Sequence, residues 1–173
     1  MKVVVTGGAG FIGSNLGREL LGRSDVDEVV ALDDLSTGSR ANLDGTGIRL
    51  LEGTILDPAA LDAACQGADA VVHLAALPSV PRSVLDPVAS HHANATGTLE
   101  VLQAARRAGD IHVVVASSSS VYGANRELPK RESMRTAPIS PYAVSKQATE
   151  AYAMSFGHTY GLPVLAFRFF NVF

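Results

Sequence analysis

A tyrosine and a lysine four residues apart, Tyr142 and Lys146, carry the clearest potential for chemistry in this sequence. Residues at this spacing share one face of a helix, so the ammonium would lie beside the phenol. A nearby positive charge favours the phenolate, and lowering the phenol pKa from about 10 to about 7 takes about 4 kcal/mol. A tyrosinate near neutral pH is a competent general base for a hydroxyl group. Because the same pair occurs on many exposed helices, the interpretation needs support from the rest of the chain.

Four consecutive serines, residues 117–120, supply part of that support because they follow an apolar run over 111–116. Hydroxyl groups at the end of a buried strand are costly unless they hydrogen-bond to a partner. One of these hydroxyls can hold the same oxygen on which Tyr142 acts.

Three glycines at a spacing of three, Gly7, Gly10 and Gly13, lie between the β-branched run 3–5 and an amphipathic segment over 15–21. This spacing allows a tight turn, a close approach of the backbone to a pyrophosphate and close packing of a helix on a strand. The helix N-terminus adds N–H donors and a partial positive charge. The turn is therefore interpreted as a dinucleotide-binding loop, although glycine turns of this kind are common.

A second apolar run, residues 29–32, ends in Asp33 and Asp34, and Asp33 lies twenty residues after Gly13. An acidic residue at this position hydrogen-bonds a ribose 2′-hydroxyl and repels a 2′-phosphate, which favours NAD over NADP. The alternative is that the two aspartates merely end a strand.

Apolar runs and amphipathic segments alternate along the whole chain. Strands are predicted at 3–5, 29–32, 48–51, 70–76, 111–116 and 162–169, and helices at 15–21, from Pro58 with Asp57 as its cap, at 87–108 and at 141–160. The segment 77–83 is predicted as a rigid polar loop. This alternation predicts an α/β fold, a doubly wound parallel sheet (Rossmann fold) of six or more strands in the order 3-2-1-4-5-6. Residues 1–173 would form one dinucleotide-binding domain.

The histidines and the cysteine do not predict a metal site. His73 lies inside a strand pattern, which favours a buried, hydrogen-bonded structural histidine over a catalyst. His91 and His92 are adjacent and point to different helix faces. Cys65, the single cysteine, fits a small core residue.

The composition excludes several classes of protein. The 173 residues are 47% hydrophobic and 18% charged, which is typical of a globular chain. The net charge is −3 and no basic cluster exceeds Arg106-Arg107, so nucleic-acid binding has no electrostatic support. No run of about 18 apolar residues and no signal-peptide pattern is present. We expect no membrane association and a cytoplasmic location.

Taken in order, the motifs resemble those of one family: GGAGFIG (7–13), Asp33, VVHLAA (71–76), SSSSVYG (117–123), SPYAVSK (140–146) and RFFNVF (168–173). They are similar to the extended branch of the short-chain dehydrogenase/reductase family and, within it, to the NAD-dependent nucleotide-sugar 4-epimerases. The resemblance covers essentially the whole chain.

The resemblance implies three sets of residues. The catalytic set is Ser118, Tyr142 and Lys146. The NAD-binding set is Gly7, Gly10, Phe11, Ile12, Gly13, Asp33, Asp34, Leu74, Ala75, Ala76 and Asn94, together with Tyr142 and Lys146. The substrate-binding set is Ser79, Arg82, Ser118, Ser119, Ser120, Tyr142 and Asn171. Thr54 stands where the family often has an aspartate that contacts adenine, and Phe169 where many members have tyrosine.

The mechanism that the resemblance implies is inversion at C4 of a UDP-sugar. The tyrosine removes the 4-hydroxyl proton while NAD takes a hydride from C4, the 4-keto sugar turns over, and hydride returns to its other face. Segment 77–83 is similar to the branch that acts on UDP-glucuronic acid or UDP-N-acetylglucosamine, with Arg82, Ser119 and Ser120 as candidate partners of a uronate. Arg82 is equally consistent with a solvent-facing residue. UDP-glucuronic acid is the expected substrate, with UDP-N-acetylglucosamine and UDP-glucose as alternatives.

Two other functions stay open. Nucleotide-sugar 4,6-dehydratases and decarboxylases of similar fold need an extra acid beside the catalytic serine, where this chain has Ser119 and Ser120. Serine hydroxyls do no acid–base work at neutral pH. A non-catalytic NAD-binding domain is the second alternative, and such proteins tend to lose the Tyr–Lys pair.

Members of this family continue beyond the position of Phe173 into a smaller substrate domain. We therefore expect this C-terminal domain to be missing from the chain, and residues 1–173 to bind NAD with weak or absent turnover. Family members commonly form homodimers through two helices per subunit, for which 91–108 and 141–160 are the counterparts.

Overall fold

A six-stranded parallel sheet forms the centre of the computed structural model, which describes residues 1–173. The strands are β1 (Lys2–Thr6), β2 (Glu28–Asp33), β3 (Arg49–Glu52), β4 (Ala70–His73), β5 (His112–Ser118) and β6 (Val164–Phe169). Their order is β3-β2-β1-β4-β5-β6, and every pair is parallel. The predicted fold class and strand order are confirmed. Runs of valine and leucine favour such strands because both faces are covered.

Six α-helices connect the strands: α1 (Phe11–Leu21), α2 (Pro58–Cys65), α3 (Val80–Leu85), α4 (Pro87–His91), α5 (Gly97–Arg107) and α6 (Pro141–Tyr160). Local signals fix the ends of several of them. The Asp57 carboxylate caps α2 by accepting the Ala59 N–H at 2.9 Å. In α6, Ser140 accepts the Ala143 N–H at 3.1 Å, and Gly161 ends the helix at a φ of 73°.

The helices lie on both faces of the sheet and bury two separate cores. On one face α2, α5 and α6 contribute Leu61, Leu102 and Phe156 to a cluster with the apolar side chains of the strands. On the other face α1 packs on β1 and β2 beside Leu43 and Ile48. The sheet is therefore doubly wound, as predicted.

Three predicted boundaries change in the structure. The helix predicted over 87–108 is interrupted by a π-helical turn, His92–Thr96. A π turn admits an extra residue, which the apolar periodicity on either side does not reveal. The predicted loop 77–83 contains the start of α3, and β5 continues two residues further, to Ser118. None of the helices is long and apolar enough to span a membrane.

Candidate active site

A cleft of about 1200 Å³ lies at the carboxyl ends of the parallel strands. In a doubly wound sheet this is where ligands bind, next to the point at which the strand order reverses, here between β1 and β4. Most residues that the sequence singled out line it: Gly7, Gly10, Phe11, Ile12, Gly13, Asp33, Asp34, Leu74, Ala75, Ala76, Ser118, Ser119, Ser120, Tyr142, Lys146 and Asn171. The fold thus brings residues from the N-terminal and C-terminal parts of the chain together in one site.

The glycine turn between β1 and α1 is packed too tightly for side chains. A Cβ on Gly7, whose φ is 70°, would lie 2.8 Å from the Ala75 nitrogen. A Cβ on Gly13 would lie 2.7 Å from the Cα of Gly8. Gly10 is the N-cap of α1 and provides no side-chain cap, so the first N–H groups of this helix are left for a ligand in the cleft. This cradle fits a pyrophosphate.

Asp33 ends β2 beside the glycine turn and is only 8% exposed. Its carboxylate accepts the N–H of Ala9 at 2.9 Å on one oxygen and that of Leu35 at 2.8 Å on the other. Asp33 therefore holds the glycine turn in place and keeps free lone pairs for a ribose hydroxyl. The Asp34 carboxylate instead accepts from Ser36, whose Oγ lies 2.6 Å away.

Tyr142 and Lys146 lie on the first two turns of α6, and both side chains line the cleft. Burial raises the pKa of Tyr142, and a hydrogen bond from Ser118 opposes that rise. Burial also lowers the pKa of Lys146 to about 8, since its Nζ has no ion-pair or hydrogen-bond partner within the protein. In the protein by itself burial therefore raises the Tyr142 pKa, and the expected fall to about 7 rests on Lys146 acting together with the cationic ring of a bound cofactor.

Ser117 and Ser118 point in different directions at the end of β5. Ser117 Oγ donates to Glu150 Oε2 at 3.0 Å, on α6. Ser118 Oγ accepts hydrogen bonds from Ser120, from its N–H at 3.1 Å and from its hydroxyl at 2.9 Å. Only Ser118, Ser119 and Ser120 therefore remain candidates for contact with a substrate through their hydroxyls.

A half-buried ion pair behind α6 was not predicted from the sequence. Arg168 of β6 donates to both carboxylate oxygens of Glu150, at 2.9 and 2.6 Å. Arg168 lowers the Glu150 pKa, and its guanidinium lies 5.0 Å from the centre of the Tyr122 ring. One signal was available, since Glu150 follows Lys146 by four residues and shares its helix face.

Three predicted site residues lie elsewhere. The side chain of Asn94 is buried, accepts the N–H of Leu77 at 2.7 Å and donates to Ser145 Oγ at 2.9 Å, so it joins elements behind the cleft and does not line it. Ser79 caps α3 by accepting the Arg82 N–H at 3.3 Å. The Arg82 side chain is exposed on that short helix, outside the cleft. These three residues do not line the cleft, and their contacts with a ligand stay predictions.

His73 is a buried structural residue, as predicted. Its Nδ1 lies 2.7 Å from Thr6 Oγ1, and its Nε2 lies 3.0 Å from Thr98 Oγ1. Burial, with a smaller effect of the Lys146 charge, lowers the His73 pKa to about 3. The imidazole is therefore neutral at physiological pH.

Comparison with known proteins gives consistent matches along the whole chain. The sequence model of the NAD dependent epimerase/dehydratase family matches residues 3–173. The chain is 39% identical over 173 residues to a UDP-glucose 4-epimerase of Azospirillum brasilense, covering 99% of this chain and 49% of that protein. It is 33% identical to a probable UDP-glucuronate 4-epimerase of Rhizobium meliloti, covering 100% and 54%.

Solved structures agree. A UDP-N-acetylglucosamine 4-epimerase from Methanobrevibacter ruminantium superposes with a TM-score of 0.92 at 40% identity, over 99% of this chain and 55% of that one. A dTDP-glucose 4,6-dehydratase from Streptomyces venezuelae, solved with NAD bound, gives a TM-score of 0.92 at 40% identity, over 97% and 55%. The chain spans about half the length of the relatives that it matches.

Proposed function

Because this chain belongs to the NAD-dependent epimerase/dehydratase family, we propose that its cleft binds NAD and carries the catalytic half of a nucleotide-sugar 4-epimerase. The observation that supports this most is the convergence of Tyr142, Lys146 and Ser118 with the glycine turn and Asp33 in one cleft. A binding domain alone has no need for a buried, unpartnered lysine next to a tyrosine and a serine.

The residues of the cleft fit NAD. The N–H groups at the start of α1 would hold the pyrophosphate, and the carboxylate of Asp33 would bind the hydroxyls of the adenosine ribose. Lys146 has an ammonium with no partner in the protein, which suits the hydroxyls of the second ribose. When bound, NAD would supply the reversible acceptance of a hydride from the sugar. The chain itself would supply orientation and the movement of a proton.

Tyr142 is the proposed proton carrier. Its phenol oxygen would take the proton of the sugar 4-hydroxyl as C4 is oxidised and return it as the carbonyl is reduced, so no net proton is consumed. Burial alone raises the Tyr142 pKa, so the phenolate needs added positive charge nearby. The Lys146 ammonium, once fixed by ribose hydroxyls, and a cationic cofactor ring would provide it. Ser118 would donate a hydrogen bond to the phenol oxygen of Tyr142 and so favour its ionised form.

Epimerisation is favoured over dehydration by the residues that follow Ser118. The positions beside it are Ser119 and Ser120, whose hydroxyls line the cleft and carry no proton that titrates near pH 7. The structural similarity to a 4,6-dehydratase keeps dehydration as the second candidate. A proton would have to be removed beside the carbonyl in that reaction, and no carboxyl group lies at these two positions.

UDP-glucuronic acid is the proposed substrate, with UDP-N-acetylglucosamine and UDP-glucose as the competing members of the same class. Ser119 lines the cleft and is the remaining candidate to donate to the uronate, because Ser120 already donates its hydroxyl proton to Ser118. Arg82 no longer supports this choice because its side chain lies outside the cleft. We also propose a homodimer, whose test is sedimentation of the purified chain.

The test combines binding and chemistry on the 173-residue chain. Calorimetry with NAD and with NADP should show a clear preference for NAD. The NAD-loaded chain is then incubated separately with the three UDP-sugars, with Tyr142→Phe as the control, and products are resolved by chromatography. A C4 epimer supports the proposal and identifies the sugar, and a 4-keto-6-deoxy or decarboxylated product replaces it with the second candidate. Because turnover by residues 1–173 alone is expected to be weak or absent, the deciding outcomes are the binding of NAD and the identity of any product, and a chain that does not bind NAD contradicts the proposal.

A further inference from the structure

Ser120 does not present a free hydroxyl proton to the cleft, because it donates that proton to Ser118 Oγ at 2.9 Å. We infer that Ser120 is a positioning residue that fixes the direction in which Ser118 donates its own proton, toward the phenol oxygen of Tyr142. The inference rests on the proposed function only for the role of Tyr142 as the base. The hydrogen-bond geometry is independent of it.

The local backbone creates this arrangement. β5 ends at Ser118, which is the N-cap of a 3₁₀ turn over Ser119–Tyr122. In that turn the N–H of Ser120 donates to Ser118 Oγ at 3.1 Å, and the Ser120 hydroxyl donates to the same oxygen. A serine oxygen has two lone pairs and one proton. Both lone pairs of Ser118 are therefore occupied by Ser120, and only its proton is left for Tyr142.

This occupancy distinguishes the two protonation states of Tyr142. A neutral phenol can donate its proton or accept one, whereas a phenolate can only accept. Ser118 cannot accept from the phenol while Ser120 fills both lone pairs, so its hydrogen bond favours the phenolate. The direction agrees with the effect of Ser118 on Tyr142, which is to lower the phenol pKa against the effect of burial.

Removal of the Ser120 hydroxyl should weaken this preference. One lone pair of Ser118 becomes free, the neutral phenol gains an acceptor, and the polarisation of Ser118 by its partner is lost. Cooperative strengthening of about 10–30% of a charge-assisted hydrogen bond predicts a two- to fourfold fall in the acid ionisation constant of Tyr142. Ser119 is the matched control, since its hydroxyl makes no hydrogen bond to another group of the protein.

The test titrates Tyr142 directly in the chain, without NAD or sugar. The four tyrosines are replaced biosynthetically by 3,5-difluorotyrosine, a stronger acid that titrates within the stable pH range, and ¹⁹F NMR follows each phenol. Tyr142→Phe identifies the resonance of Tyr142. The variants are Ser120→Ala, the isosteric pair Ser120→Thr and Ser120→Val, and Ser119→Ala, each checked for folding by circular dichroism.

We expect a two- to fourfold lower ionisation constant in Ser120→Ala and Ser120→Val. Ser120→Thr and Ser119→Ala should match the wild type. Equal titration of Ser120→Thr and Ser120→Val would overturn the inference, even if Ser120→Ala does not fold. A shift in Ser119→Ala as large as that in Ser120→Ala, or a shift to lower pKa in the hydroxyl-free variants, would also overturn it. No turnover is measured in this experiment. The titration result can therefore be interpreted even if the proposed epimerase activity is not found.

Discussion

Lys146 is a buried cation, and no group of the protein pairs with its charge. The residue is 4% exposed, its ammonium has no ion-pair or hydrogen-bond partner within the protein, and burial lowers its pKa from 10.5 to about 8. Such a group lowers the free energy of unfolding. A protein retains it because it serves to bind a ligand. We therefore predict that Lys146→Met, which keeps much of the side-chain volume and removes the charge, stabilises the 173-residue chain.

The size and pH dependence of the effect follow from this pKa. Lowering it from 10.5 to about 8 corresponds to about 3 kcal/mol of lost stability at pH 7, where the folded state must hold the charge. Between these two values the unfolded chain binds more protons than the folded one, so the contribution of Lys146 to stability rises with pH. The advantage of Lys146→Met should fall from about 3 kcal/mol at pH 7 to about 2 kcal/mol at pH 9.

The assay is urea unfolding at pH 7 and pH 9, followed by far-ultraviolet circular dichroism because the chain contains no tryptophan. Burial raises the pKa of Cys65 and of Tyr142, which lowers stability at alkaline pH, but both groups are present in wild type and variant and cancel in the difference. Lys2→Met, which removes one hydrogen bond to Gln66 at the other end of the sheet, should change stability by less than about 1 kcal/mol. A Lys146→Met variant that is no more stable than the wild type at pH 7, or an advantage that grows toward pH 9, would refute the reasoning.

Two further predictions concern the surroundings of the cleft. Gly13→Ala places a Cβ against the Gly7 carbonyl and 2.7 Å from the Gly8 Cα, so thermal melting should show a loss of about 2 kcal/mol or more. Gly22→Ala, with its nearest neighbour at 3.4 Å and a φ of −74°, should be neutral or slightly stabilising, and an equal loss there would contradict the steric argument. Glu150→Gln breaks the ion pair with Arg168, whose side chains are 21% and 14% exposed, and should cost about 2 kcal/mol in urea at pH 7. Because Arg168 lowers the Glu150 pKa, this contribution is lost as the pH falls through the folded pKa. Asp62→Asn, which breaks the exposed pair with Arg107, should cost less than about 1 kcal/mol, and a pH-independent loss in Glu150→Gln would exclude the ion pair as its cause.

The fold was predictable because its signals are local. Apolar runs of four to six residues, the glycine turn and Asp57-Pro58 each specify structure within a few positions. Strand order followed because right-handed crossovers and a glycine fingerprint after the first strand leave few topologies. The π turn was not predicted because it alters the helix over only five residues, whose amino-acid composition does not distinguish them from an α-helix.

The site was predictable only in part, because motif position fixes where a residue lies and not where its side chain points. The motif placed Asn94 near the cofactor, whereas the folded chain turns its side chain onto Leu77 and Ser145, which is 51 residues away. The direction of the Tyr142 pKa in the protein by itself cannot be predicted from the motif, for a related reason. Spacing shows which charges are neighbours, but the loss of hydration depends on the whole cleft.

A chain of buried hydrogen bonds joins the side of the cleft formed by the glycine turn to the side formed by α6, and its directions can be assigned. Thr98 donates to the Asn94 carbonyl at 2.6 Å, so it must accept from His73, which places the His73 proton on Nε2. His73 Nδ1 then accepts from Thr6, the last residue before the glycine turn. Protonation of His73 would put a second donor against Thr6 and disrupt this assignment, in agreement with the pKa of about 3.

The same chain of hydrogen bonds continues to α6. Thr98 Oγ1 lies 3.0 Å from Thr149 Oγ1 on α6, and the side chain of Asn94 bonds Ser145, one residue before Lys146. Each of these bonds lies in the interior, where an unpaired partner costs about 1–3 kcal/mol, so neither half can shift without breaking several of them. The neutral histidine in β4 therefore has a function without touching a substrate. It holds the end of β1, from which the glycine turn starts, in register with the helix that carries Tyr142 and Lys146.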